Sequence, residues 1–163
     1  MNVGCLLLIA IFAGCTPFHQ YRTELTLCAN TTLNKPPGKT PGECEFHAVQ
    51  KFPAADGAHY LLGFIELDDQ GQLWDRKQMW SVLDKLSAEA ADKDLLIAVF
   101  VHGWKHSAAP GDTDIDTFRG ILAGLSEGEL HASQKDPKNP RPARQVVGIY
   151  LGWRGGSIKV PLI

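Results

Sequence analysis

The chain has 163 residues, enough for one domain with its own core. A formal charge of −2 removes any electrostatic case for nucleic-acid binding, and 44% hydrophobic residues is ordinary for a globular protein. Composition by itself assigns no function.

Residues 3–12 form an apolar run, too short for a typical spanning helix, that ends in Ala13-Gly14-Cys15. Small residues immediately before a cysteine resemble a bacterial lipoprotein signal, with Phe12 where Leu is commoner and no Lys or Arg ahead of the run. The resemblance implies a signal peptide over 1–14, cleavage before Cys15 and a diacylglycerol on its sulfur. The protein would then sit in the bacterial cell envelope, facing the periplasm, held to the membrane without spanning it. Cys28 and Cys44 remain as an even pair in an exported chain, either bridged or free; a disulfide is expected, since the Pro/Gly-rich stretch between them has little else to fix it.

Residues 15–58 read as a tether and an irregular segment, with Asn34-Lys-Pro-Pro-Gly-Lys-Thr-Pro-Gly42 unable to form helix or central strand. A short strand is placed within 43–52. Residues 59–67 read as a strand, Asp68-Asp-Gln-Gly71 as a turn, and Gln72-Leu-Trp74 as a brief returning hairpin arm. Asp75 suits an N-cap, and Met79, Val82, Leu83, Leu86 and Ala90 follow at helical spacing, so a helix is expected over 76–91.

Leu95-Leu-Ile-Ala-Val-Phe-Val101 comes next, nearly all apolar and rich in β-branched residues, as in a parallel strand buried on both faces. It runs into His102-Gly103-Trp104, where Gly103 permits a sharp turn. A second helix starts at Thr113-Asp-Ile-Asp116 with a stripe of Ile115, Phe118, Leu122 and Leu125, and Gly128 reads as its stop. After a proline-broken loop over 136–143, a strand over 146–151 ends in Gly152-Trp153-Arg154-Gly-Gly156. Strand, hairpin, helix, strand, helix, strand is an α/β order, with a parallel sheet from Leu95 onward.

His102-Gly103-Trp104 at a strand end resembles the oxyanion loop of α/β-hydrolases of the lipase and esterase kind, and the second Gly-Trp strand strengthens the likeness over roughly 60–161. The resemblance implies that the backbone N–H of Trp104 faces a developing oxyanion and that the substrate is a small ester or lipid. It also implies a partial α/β-hydrolase-type domain over 59–163: an N-terminal hairpin, then parallel strands with crossover helices, ending before the nucleophile elbow.

No triad is evident. Gly124-Leu-Ser-Glu-Gly128 has the elbow spacing but lies in a helical stripe, so Ser126 is rejected as nucleophile; Ser157 lacks the second glycine. His102 and His106 are four apart but flank a loop with no third ligand, and Asp112-Thr-Asp-Ile-Asp116 lacks the glycine and glutamate of a calcium loop, so no metal is expected. Gly152-Trp-Arg-Gly-Gly-Ser157 matches neither phosphate-binding pattern, and no cofactor is expected. The chain should therefore be inactive by itself as an ester hydrolase. The alternative expectation is a non-catalytic envelope lipoprotein that binds a ligand or a protein.

Overall fold

The computed structural model describes residues 19–29, 43–135 and 141–153. Residues 1–14, Cys15, the stretch 34–42, residues 136–140, Arg154 and Ser157 lie outside them.

Five strands form one mixed sheet: β1 (Glu24–Ala29), β2 (His47–Pro53), β3 (His59–Glu66), β4 (Leu95–Val101) and β5 (Gln145–Gly152), in the order β1-β2-β3-β5-β4. Among the described residues the β2–β3 pairing is antiparallel and the other three are parallel. Helix α1 (Arg76–Ala90) connects β3 to β4, and α2 (Thr113–Gln134) connects β4 to β5. The architecture is α/β. No helix among the described residues is long and apolar enough to cross a membrane.

Local chemistry sets the boundaries. Asp75 caps α1 by accepting from Lys77 N, and Asp112 caps α2 by accepting from Asp114 N. Asp68 accepts from the N–H groups of Gln70 and Gln72, Gly71 takes φ +76°, and Leu67 bridges Leu73, so the expected hairpin arm is a single bridge.

The two crossovers run in opposite directions across the sheet, so the right-handed rule sends their helices to opposite faces. Both helices approach the sheet over glycine. A Cβ on Gly63 would lie 2.6 Å from Val82 of α1, and one on Gly148 would lie 2.3 Å from Leu122 of α2. The larger core lies under α2 and joins Phe52, Tyr60, Leu62 and Phe64 to Ile115, Phe118, Leu122 and Tyr150. The smaller lies under α1 and gathers Val49, Ile65 and Val82 with Met79 and Leu86.

Several expectations are corrected. Leu95–Val101 is not buried on both faces: β4 is the last strand of the sheet, and Ile97, Val99 and Val101 are 48%, 58% and 60% exposed. The reason is that α1 covers β1, β2 and β3 instead. The strand at 146–151, the last before the expected nucleophile elbow, sits between β3 and β4 in the interior of the sheet. Residues 15–58 are not simply a tether, since β1 and β2 belong to the same sheet. Helix α2 runs through Gly128 to Gln134, and its buried stripe leaves Leu125 out and continues through Ser126, Glu129 and Ser133. Polar residues close that stripe because each finds a partner: Ser126 Oγ donates to His59 O, and Glu129 meets Arg141 and Arg144. Cys28 and Cys44 are joined by a disulfide with Cα atoms 5.4 Å apart, tying the end of β1 to the turn before β2.

Candidate functional site

In α/β sheets, ligands gather at the carboxyl ends of parallel strands. Here that edge is made by β4 running into His102-Gly103-Trp104, by β5 running into Trp153, and by the N-terminus of α2.

The loop after β4 is a turn closed by His106 N–H donating to Gly103 O at 3.4 Å. The left-handed residue is Lys105, φ +74°, and not Gly103. That is the conformation of the third residue of a type II turn, usually filled by glycine or asparagine. The Gly103 N–H reaches Asp114 Oδ2 at 3.5 Å, and a Cβ on Gly103 would meet open space. Trp104 is 72% exposed, with Lys105 Nζ 4.9 Å above its ring. Among the described residues, the Trp104 N–H has no acceptor.

His102 does not face this opening. It is 2% exposed, parallel to the Trp153 indole and stacked on Tyr150. Its Nε2 accepts the Trp153 N–H at 2.8 Å, so the proton sits on Nδ1, which donates to Gly103 O at 2.9 Å. Nε2 thereby ties the end of β4 to Trp153 after β5, while Nδ1 is spent on the carbonyl of the neighbouring Gly103. His102 is a positioning residue, and the motif's outward parts are Gly103, Trp104 and Lys105.

His106 points instead at the cap of α2. Its Nδ1 lies 2.8 Å from Asp112 Oδ1 and 3.6 Å from Asp114 Oδ1. The hydrogen bond to Asp112 first, and then the charges of Asp112 and Asp114, raise its pKa above the ordinary 6.5. His106, Asp112 and Asp114 offer donor atoms within 4.8 Å of one another and are the group that could hold a metal. Their present hydrogen bonds account for the cluster as a cap: Asp112 also accepts from Ser107 N and Asp114 N. His102 and His106 do not converge on a shared ligand position.

No Ser–His or Cys–His hydrogen bond occurs among the described residues. Ser126 is buried within α2 and donates to His59 O, which fits its rejection as a nucleophile. The Tyr150 hydroxyl donates to Ser107 O, and burial raises its pKa. Sequence reasoning missed Trp153 as the partner of His102, although the paired Gly-Trp strand ends carried that signal. It also missed Arg22, which is fully buried beneath the same loop and donates from Nε to Ala108 O at 2.8 Å.

The chain matches no family model, no curated protein and no solved structure.

Proposed function

We propose that this protein is a lipid-anchored envelope protein related to the N-terminal part of α/β-hydrolases of the esterase and lipase class. The observation that supports it most is a parallel strand ending in His102-Gly103-Trp104, with a backbone N–H at Trp104 that no described acceptor uses. A free donor at a strand end is what acyl-transfer chemistry requires for a developing oxyanion. The outer edge of β4 is also unpaired among the described residues. A parallel strand added there would bring its own carboxyl end beside this loop, where a nucleophile elbow would belong. The ligand class is a small ester or lipid, and Cys15 carries the membrane anchor.

Two features weigh against activity in the chain by itself. The described residues hold no Ser–His or Cys–His pair, and the Thr26 Oγ1–His47 Nδ1 contact of 3.3 Å lies on β1 and β2, not at this strand end. Asp114 also puts a carboxylate 3.5 Å from the Gly103 N–H, beside the place where negative charge would develop. The second reading, a non-catalytic lipoprotein that binds its ligand or partner at this edge, rests on those two observations.

Probe labelling and genomic context separate the readings. The full chain should show no fluorophosphonate labelling and no ester hydrolysis above background. Labelling abolished by Ser126→Ala or Ser157→Ala would overturn that expectation of inactivity. A Gly-x-Ser-x-Gly encoded shortly beyond the Ile163 codon, in frame or past a frameshift, supports the hydrolase relation; its absence favours the binding protein. Anchoring is tested by acyl labelling, which Cys15→Ser should abolish. Unchanged labelling in that variant would refute the lipid site.

A further inference from the structure

Two arginines on the α2 side of the sheet hold donors that no acceptor among the described residues uses. Arg22 has no exposed surface, and among the described residues its Nη1 and Nη2 reach no acceptor; the same holds for the buried Nε of Arg119. Buried polar groups are nearly always paired, and a guanidinium, which cannot be left neutral, most of all.

The faces of both guanidiniums are occupied. Arg22 Cζ lies 4.1 Å above the Phe64 ring centroid, and Arg119 Cζ lies 4.6 Å above that of Phe52. Stacking on aromatic faces leaves the guanidinium edges, where the N–H groups lie, to meet in-plane acceptors. Neighbouring polar groups are committed elsewhere. Glu66 is buried, but its oxygens accept from Tyr21 N, Arg22 N and Gln78 Nε2. Gln50 Oε1 accepts from Arg119 Nη2, while its Nε2 donates to Cys44 O and His47 O. Asp116, largely exposed, lies 3.4 Å from Arg119 Nη1 and does not reach Nε.

We propose that Arg22 and Arg119 form a binding site for an oxyanion, the carboxylate or phosphate group of a ligand, entered from the Arg119 side. Nη1 and Nη2 of Arg22 are the fork that grips two oxygens at once, and Arg119 Nε supplies a third donor. The Arg119 side chain is one-fifth exposed, so it is the arginine of the pair that solvent reaches. The position fits a ligand crevice, since Arg22 lies against Glu66 at the carboxyl end of β3 and against the loop after β4. Burial, and then the charge of Arg119, lowers Arg22 to about 9 against the opposing pull of Glu66 and Glu45. The site does not depend on the hydrolase reading.

The test is a titration of the full chain at constant ionic strength, with chloride as reference. Inorganic phosphate forms one arm and acetate the other, read by the arginine Nε–H resonances and by the unfolding midpoint. The expected result is a saturable shift of the Arg119 Nε–H and a raised midpoint in at least one arm; the saturating arm distinguishes phosphate from carboxylate. Arg119→Gln should keep the fold and weaken binding about tenfold or more, since it removes a charged donor. Arg22→Lys, which keeps the charge and loses the fork, should weaken it as well; if that variant does not fold, Arg119→Gln decides. No saturable response in either arm overturns the proposal, as does saturation at an unchanged midpoint concentration in Arg119→Gln.

Discussion

Trp153 grips His102 at two points: its backbone N–H donates to the His102 ring at 2.8 Å, and its indole Nε1–H donates to the His102 carbonyl at 2.9 Å. The two rings lie 3° from parallel. This clamp joins the carboxyl ends of β4 and β5 and fixes where Gly103 begins its turn. Trp153→Phe keeps the ring but loses the indole donor, and should cost about 1 kcal/mol in urea unfolding. His102→Ala leaves a cavity and an unmatched Trp153 N–H, and should cost about 3 kcal/mol. A double-mutant cycle should show coupling between the two sites; additive losses would mean the clamp is geometric only.

Asp112 both caps α2 and holds His106. Asp112→Asn separates the roles, because asparagine caps as well but carries no charge. The His106 pKa, raised in the native protein, should return towards 6.5 in this variant when followed by NMR titration, with α2 intact. The sign for stability follows from the raised value. His106 contributes while it is protonated, fully below about 6.5, and the contribution is lost as pH rises through the folded-state value. Asp112→Asn should flatten that decline.

Much of this arrangement is legible in the sequence, and the remainder fails for identifiable reasons. The β3, α1 and β5 segments are marked by periodicity and by Asp75, and the Asp68–Gly71 turn by its residue types. Strand order is not encoded in periodicity. An all-apolar run such as Leu95–Val101 suggests two covered faces, yet burial depends on which strands α1 overlies. The lower half of α2 misleads because Ser126, Glu129 and Ser133 are buried by partners distant in sequence. The His102-Gly103-Trp104 loop stands out as a site, but the inward turn of His102 depends on Trp153, 51 residues later. Arg22 carries no local signal at all, since its burial comes from Glu66, Gln78 and Ala108.

Glu129, like Glu66, is a buried acid. It accepts from Arg144 through N, Nε and Nη2, and also from Arg141, which fastens the chain entering β5 to α2. Those hydrogen bonds, Arg144's first, hold its carboxyl well below the usual range. A lowered value means stability that is present above the ordinary carboxylate value of 4.5 and lost as pH falls below it towards the folded-state value. Glu129→Gln should cost about 2–3 kcal/mol at neutral pH and reduce the acid sensitivity of the unfolding midpoint. A variant with unchanged acid sensitivity would show that another carboxylate governs it.

The last prediction concerns the free side of β4. Among the described residues β4 pairs only with β5, leaving one row of backbone donors and acceptors open. Natural edge strands are protected by charge, proline, bulges or shortness. Leu95–Val101 has seven residues, all apolar, and its pairing with β5 runs without a register shift. Ile97, Val99 and Val101 also form an exposed apolar strip on one face of it. Such an edge pairs readily with another strand, and the partner always present in a purified sample is a second copy. The chain should therefore associate in a concentration-dependent manner in sedimentation or light-scattering measurements. Val99→Lys places a charge on the exposed strip, where the cost to folding should stay within about 0.5 kcal/mol, and should shift the protein towards monomer. Val147→Lys is not an equivalent control, because Val147 is fully buried in β5 and that change would unfold the sheet. A wild-type chain that stays monomeric at high concentration would show that β4 is covered by other means. Association unchanged in Val99→Lys would place the contact on another surface.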